Sequence, residues 1–137
     1  MEKTPENKLL IEIVTPTGLV FSGHVDEITA AGTEGEFGVL PGHANFITTL
    51  KIGMLTCKNE GKTSYFFVNS GYAEVGSDKV TILADSAEKS EEIDVERAKA
   101  AMKRAEERLR QAEEVDVARA TAALERATMR VQVSGRH

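Results

Sequence analysis

All seven aromatic residues of this chain (Phe21, Phe37, Phe46, Tyr65, Phe66, Phe67 and Tyr72) lie before residue 73. No glycine or proline occurs from Asp85 through Ser134. Aromatic rings supply much of the buried area of a small core, so the core belongs to the first part of the chain. A long stretch free of Gly and Pro, rich in Ala, Glu, Lys and Arg, reads as helix. The chain must therefore fold as two dissimilar pieces in sequence.

The first piece shows short apolar runs of period two. Leu9, Ile11 and Ile13 alternate with Leu10, Glu12 and Val14, a strand buried on at least one face. Leu19–Phe21, Val25–Ala31, Phe46–Leu50, Met54–Cys57, Ser64–Val68, Tyr72–Val75 and Val80–Ala84 read as further short strands. Asn59-Glu60-Gly61-Lys62 and Gly76-Ser77-Asp78 read as hairpin turns. Strands recurring every ~8–12 residues indicate a sandwich or barrel. Within this piece, Glu34-Gly35-Glu36-Phe37-Gly38-Val39-Leu40-Pro41-Gly42-His43-Ala44 reads as a loop with at least two changes of direction. Pro41 and Gly42 suit the two central positions of a type II turn.

The second piece holds two helix starts of similar form, Ile93-Asp94-Val95-Glu96-Arg97-Ala98 and Val115-Asp116-Val117-Ala118-Arg119-Ala120. In each, Asp is the expected N-cap and an apolar residue precedes it. One stripe runs through Ala98, Met102, Ala105, Leu109 and Ala112, the other through Val117, Ala120, Leu124, Ala127 and Val131. Both stripes are mostly alanine, so the antiparallel hairpin buries little and needs a surface to dock on. Ser86 to Glu92 carry no bulky apolar anchor, which implies a detachable arm. The expected fold is α+β and mainly β: a β sandwich over residues 1–86 and a helical hairpin over 87–137.

Composition narrows the function classes. Hydrophobic residues make up 41% and charged residues 28% of the chain, ordinary values for a folded domain. No apolar run approaches the ~20 residues that span a bilayer, and the polar start is unlike a secretory signal. A lone Cys57 allows no intrachain disulfide, so the chain reads as intracellular. The net charge of −5 opposes nucleic-acid binding. The charge is uneven: Val117 to His137 holds Arg119, Arg126, Arg130 and Arg136 against Glu125 alone. Arg126 and Arg130 stand a turn apart, a like-charge pair that an acidic partner or phosphate would stabilise.

The glycine loop is no P-loop, because no Gly-Lys-[Ser/Thr] follows. His43 has no second His or Cys nearby in sequence, so a hydrogen-bonded turn histidine is expected rather than a metal ligand. No nucleophile triad, buried carboxylate pair or metal cluster follows from spacing, and no cofactor is required. Two competing readings are a stand-alone nucleotide-sensing β-sandwich protein and an enzyme using Glu36 and His43 as acid and base.

The stretch Glu34–Ala44, with Thr15-Pro16, Val20-Phe21-Ser22-Gly23, Gly71, Glu74-Val75 and Val80–Asp85, resembles the epsilon subunit of bacterial F-type ATP synthases. The resemblance covers nearly the whole chain. It implies a non-catalytic rotor subunit of the central stalk, coupling proton flow to ATP synthesis. Implied partners are the gamma subunit, the c-subunit ring and the alpha/beta catalytic hexamer. The implied place is peripheral, on the cytoplasmic face of the bacterial plasma membrane, with membrane contact only through the complex. Glu36, Pro41, Gly42 and His43 would face the c-ring. Arg119, Arg126 and Arg130 would meet the catalytic subunits when the arm extends and blocks ATP hydrolysis. Some members bind ATP on the folded arm through [Ile/Leu]-Asp-x-x-Arg-Ala, which Ile93, Asp94, Arg97 and Ala98 match. Glu88, Arg104, Arg126 and Arg130 resemble further members of that site, with ATP as a regulatory ligand.

Overall fold

A computed structural model of the chain describes residue 5, residues 7–111 and residues 117–136. Eight strands come first: β1 (Leu9–Thr15), β2 (Gly18–Val25), β3 (Glu27–Gly32), β4 (Gly35–Val39), β5 (Phe46–Leu50), β6 (Gly53–Asn59), β7 (Lys62–Val75) and β8 (Lys79–Lys89). A 3-10 turn, Ser90–Glu92, leads into α1 (Val95–Gln111), and α2 (Val117–Ser134) ends the fold. This is the expected mainly-β architecture followed by a helical pair.

The strands follow the hydrogen-bonded order β2-β1-β8-β7-β5-β3-β4, with β6 bridging β3 and β7. Only β1 and β8 run parallel; the other pairs are antiparallel. Two long strands serve both layers. Residues 62–68 of β7 pair with β6, and residues 71–75 pair with β5. β8 accompanies β7 from Phe66 to Val75 and pairs with β1 over residues 79–83.

Side-chain parity reveals how that sharing works. Phe66 and Val68 point into the sandwich core, and so do Ala73 and Val75 further along the same strand. Regular two-residue alternation cannot place both even and odd positions on one face. The switch falls at Ser70 (φ 46°) and Gly71 (φ 138°). β8 changes parity opposite, between Ala84 and Ala87, and Ser70 Oγ donates to Asp85 Oδ2 at 3.2 Å across the kink. Only glycine fits at 71, because a Cβ there would run into the Leu83 carbonyl and lie 2.9 Å from Ala84 Cα.

Ser64–Val68 and Tyr72–Val75, expected as separate strands, are thus the halves of one kinked strand. The run Val25–Ala31 is instead divided at Asp26, where the backbone N–H donates to the Lys58 carbonyl at 2.7 Å. Half of the expected glycine loop is strand: Gly35–Val39 pairs with Gly32–Ile28 of β3 around a two-residue turn. Glycines at 35 and 38 had masked its alternation. The remaining turn is as expected, with Gly42 at φ 85° and His43 N–H donating to the Leu40 carbonyl at 3.2 Å. The Asn59–Lys62 hairpin turns through Glu60 (φ 52°) and Gly61 (φ 79°), a type I′ geometry.

The stretch Ser86–Glu92 differs from the unanchored linker expected. Ser86 to Lys89 are strand, paired with Asn69 back to Phe66. Ile93, just beyond, is buried in a second apolar cluster with Phe67, Ala98 and Val133. That cluster lies outside the sandwich and is where the helices dock. Ala98 in the first turn of α1 shares it with Val133 in the last turn of α2, so the helices run antiparallel. Ala98 and Ala105 on α1, with Ala120, Ala127 and Ser134 on α2, are buried at seven-residue spacing and let the helices pack closely. Val117 is 42% exposed and leaves the expected stripe; Val133, absent from that stripe, is fully buried. Ala112 and the expected second N-cap, Asp116, lie outside the described residues.

Replacing Gly71 by Ala combines backbone strain with a backbone clash, so chemical denaturation should show a loss of about 2–4 kcal/mol. Gly61→Ala, with open space around it, should lose only about 1 kcal/mol. Equal losses would contradict the parity-switch account.

Candidate functional site

The kink gives the sandwich two outer faces of different character. On one face, Glu88, Phe67 and Met54 stand in a single register row across β8, β7 and β6. Consecutive residues of a strand point to opposite faces; Phe66 fills the core while Phe67 points outward, yet both are fully buried. Phe67 is covered by α2. The Arg130 guanidinium lies 4.4 Å from the Phe67 ring centroid, and Arg130 Nε donates to Glu88 Oε1 at 2.7 Å. Glu88 and Arg130, two candidate residues far apart in sequence, are thereby brought together.

Of the other arm candidates, Ile93, Asp94, Arg97 and Ala98 lie at the start of α1. Asp94 caps it: the Arg97 N–H donates to Asp94 Oδ1 at 3.1 Å, and the Ala98 N–H donates to the Asp94 carbonyl at 3.0 Å. Ile93 and Ala98 are buried on either side of the cap. Arg97 and Arg104 are exposed on α1, and neither forms an ion pair among the described residues. On α2, Arg119 is exposed and Arg126 half-buried.

The four residues expected to face a partner together are split by the structure. Pro41, Gly42 and His43 form the tight turn after β4, tied down by the Gly42 N–H donating to the Ser77 carbonyl at 2.7 Å. His43 Nδ1 lies 2.9 Å from the Ala44 carbonyl, and its ring packs 5.2 Å from Phe46. Phe46 in turn packs 5.5 Å from Phe37. Glu36 precedes Phe37 on β4 and so points to the opposite face. There it lines an open groove of about 770 Å³ against α2, with Lys51, Met54, Glu125, Met129 and Arg136. The acid–base enzyme reading requires Glu36 and His43 side by side; they lie on different faces.

The second outer face carries what sequence reasoning missed. Thr49, Tyr72, Leu83, Val14 and Leu19 stand in one register row across β5, β7, β8, β1 and β2. Tyr72 is 56% exposed, Leu83 47% and Leu19 59%; Ile47, two residues along β5 on the same face, is 71% exposed. Large apolar side chains at corresponding positions of neighbouring strands form a continuous patch, of the kind that marks an interaction surface. The signal was present in the Tyr72/Ala73 and Leu83/Ala84 alternation, but register was needed to align it.

Three titratable groups outside these candidates are displaced. The Lys8 ammonium, 2.6 Å from Asp26, holds the Asp26 carboxyl below its usual range, helped by the Glu60 N–H. Glu12, 2.7 Å from Lys79, raises that ammonium's pKa. Burial pushes the Cys57 thiol up to about 12. Among the described residues, no group of three His, Cys, Asp or Glu could hold a metal, and no helix is long and apolar enough to cross a membrane.

These features define a class: a β-sandwich subunit with one apolar face open to a partner and a two-helix arm folded over the other. Two family models divide the chain between them. Residues 8–90 match the ATP synthase delta/epsilon chain beta-sandwich domain, and residues 91–135 match the long alpha-helix domain of the same chain. The chain belongs to the ATP synthase delta/epsilon chain family. It is 57% identical over 107 residues to the ATP synthase epsilon chain of Thermodesulfovibrio yellowstonii, covering 78% of this chain and 76% of that one. It is 58% identical over 104 residues to the epsilon chain of Geotalea daltonii, covering 76% and 75%. A chain in the cryo-EM structure of the Euglena gracilis mitochondrial ATP synthase (OSCP/F1/c-ring) superposes with a TM-score of 0.81 at 26% identity, covering 99% of this chain and 85% of that one. A chain in the Tetrahymena thermophila central stalk/c-ring structure shares the fold, with a TM-score of 0.57 at 14% identity.

Asp94→Ala should remove the cap of α1 and lower helix stability by about 1 kcal/mol, whereas Asp94→Asn should retain most of it. Thermal unfolding followed by far-ultraviolet circular dichroism checks this; identical melting of both variants would contradict the capping geometry.

Proposed function

We propose that this chain is the epsilon subunit of a proton-transporting F-type ATP synthase, a non-catalytic rotor component of the central stalk. Its β sandwich binds the gamma subunit and the c-subunit ring. The chain itself is peripheral, on the cytoplasmic face of the bacterial plasma membrane, and meets the membrane only through the complex. The observation that carries this reading is the open apolar row through Leu19, Leu83 and Tyr72, with Ile47 beside it. These side chains are about half exposed, so covering them gives roughly half of the ~1.5–3 kcal/mol each that full burial of a large apolar side chain gives, and such a patch marks an interaction surface. We assign that face to gamma. The c-ring meets the turn at Pro41, Gly42 and His43, where Leu40 is 58% exposed. Bacterial relatives named as epsilon chains support the assignment, as does the likeness to a chain of a solved ATP synthase assembly.

The helical arm regulates. Extended, it carries Arg119, Arg126 and Arg130 to acidic surfaces of the alpha/beta hexamer and inhibits ATP hydrolysis; the separation of Glu36 from His43 supports a regulatory rather than catalytic chain. ATP is a regulatory ligand of the folded arm, a reading favoured by the exposed Arg97 beside the Asp94 cap and the exposed Arg104 seven residues further along α1. Ile93 and Asp94 would place the base, Arg97 and Arg104, with Arg126 and Arg130, would meet the phosphates, and Glu88 and Ala98 would complete the site.

Co-purification tests the docking face. Tyr72→Asp and Leu83→Asp should each weaken capture of the gamma subunit at least ~tenfold while the variants stay folded, because each buries a charge in an apolar contact. Full capture by both would overturn the assignment. For the arm, titration calorimetry of the whole chain should show saturable ATP heat that Arg97→Ala reduces more than Arg110→Ala. No saturable heat at millimolar ATP would sink the nucleotide reading and leave the rotor role standing.

A further inference from the structure

We propose that Glu74 selects the partner of the open face by charge: the gamma subunit sets one Lys or Arg side chain into the pocket beside Glu74, and that pair fixes the register of an otherwise apolar contact. The inference rests on the reading that this face seats gamma.

A second register row runs beside the apolar one. Ile47, Glu74, Thr81, Glu12 and Ser22 are successive cross-strand partners across β5, β7, β8, β1 and β2. Glu74 lies two residues from Tyr72 on β7, and Thr81 two from Leu83 on β8, so both rows occupy one face. Glu74 is exposed and stands between the exposed Ile47 and Thr81. Beside it opens a pocket of about 410 Å³, lined by Asn45, Ile47, Lys79 and Thr81 together with Glu74 itself.

Charge is out of balance there. Lys79 Nζ lies 2.7 Å from Glu12 Oε1. Glu12 does most to raise the Lys79 ammonium's pKa, and Glu74 and Asp78 add to it. One ammonium therefore serves three carboxylates and is already held by one of them. Among the described residues, Glu74 has no ion-pair partner of its own.

A partner that covers Ile47, Tyr72 and Leu83 must also cover Glu74, which they border on two sides. Apolar contact is non-directional and leaves the partner free to slide along the rows. A carboxylate drawn into such a contact without a cation opposes binding. A cation supplied by the partner reverses that balance, and the pocket gives a long side chain room to reach Glu74. A neutral or acidic side chain at the same place is refused. The apolar row supplies attraction, and Glu74 supplies choice and register.

The test titrates the whole chain against gamma assembled with the alpha/beta hexamer, without the c-subunit ring, so that the ring contributes nothing to the loss. Glu74 is exposed, and replacing it leaves the core untouched. Glu74→Gln should weaken binding roughly tenfold at low salt and flatten its salt dependence, and Glu74→Lys should weaken it at least ~hundredfold. Glu107→Gln, the same charge change at an exposed position of α1, should bind as the unaltered chain does. Reversing the lysines and arginines of gamma to Glu one at a time should yield one variant that restores the binding of Glu74→Lys. Unchanged affinity of Glu74→Gln at low salt, or no restoring gamma variant, would overturn the proposal, while weakened binding of Leu83→Asp keeps the gamma assignment. If Leu83→Asp also binds fully, the assignment and the proposal both fall.

Discussion

One strained pair of residues, Ser70 and Gly71, decides which way the sandwich faces. Their positive φ angles let β7 point Phe66 and Val68 into the core on one side of the kink and Ala73 and Val75 on the other. The same switch sends Phe67 outward from one layer and Tyr72 outward from the other. β8 follows in register, so Glu88 joins Phe67 and Leu83 joins Tyr72. The two functional faces thus arise from one backbone irregularity. Strain of this kind persists only where its surroundings fix it, here by long pairing with β8 and the Ser70–Asp85 hydrogen bond.

The faces differ in how their apolar surface is satisfied. Phe67 is covered from within the chain by α2, through a second apolar cluster edged by a charge pair and a cation over a ring. Tyr72, Leu83, Leu19 and Ile47 have no such cover among the described residues, and an uncovered row of this kind suits a partner. The open apolar row and the helix-covered face thereby lie on separate surfaces of one small domain.

Much of this was legible in the sequence. Alternation placed most of β1, β5 and β6 and the first half of β8, and Pro41-Gly42 specified its turn by backbone chemistry alone. Asp94 announced the start of α1. Other features required register or three-dimensional neighbours. β4 was hidden because two of its five residues are glycine. β7 looked like two strands because parity breaks in its middle. The stretch after Asp85 looked like a linker because Ser86 to Lys89 lack apolar bulk, yet pairing with β7 needs only backbone. Val133 escaped the α2 stripe because it faces the sheet, whereas Ala120 and Ala127 face α1. Glu36 and His43 seemed to share a loop, and strand alternation between Glu36 and Phe37 separates them.

The central claim is that the two outer faces have separate partners. Side-chain footprinting of the chain, free and assembled with its gamma subunit, tests it most directly. Labelling at Ile47, Tyr72 and Leu83 should fall severalfold on assembly, while Met54 and Met129 beneath and on α2 stay as they were. Protection of Met54 and Met129 with continued labelling of Tyr72 and Leu83 would contradict the account.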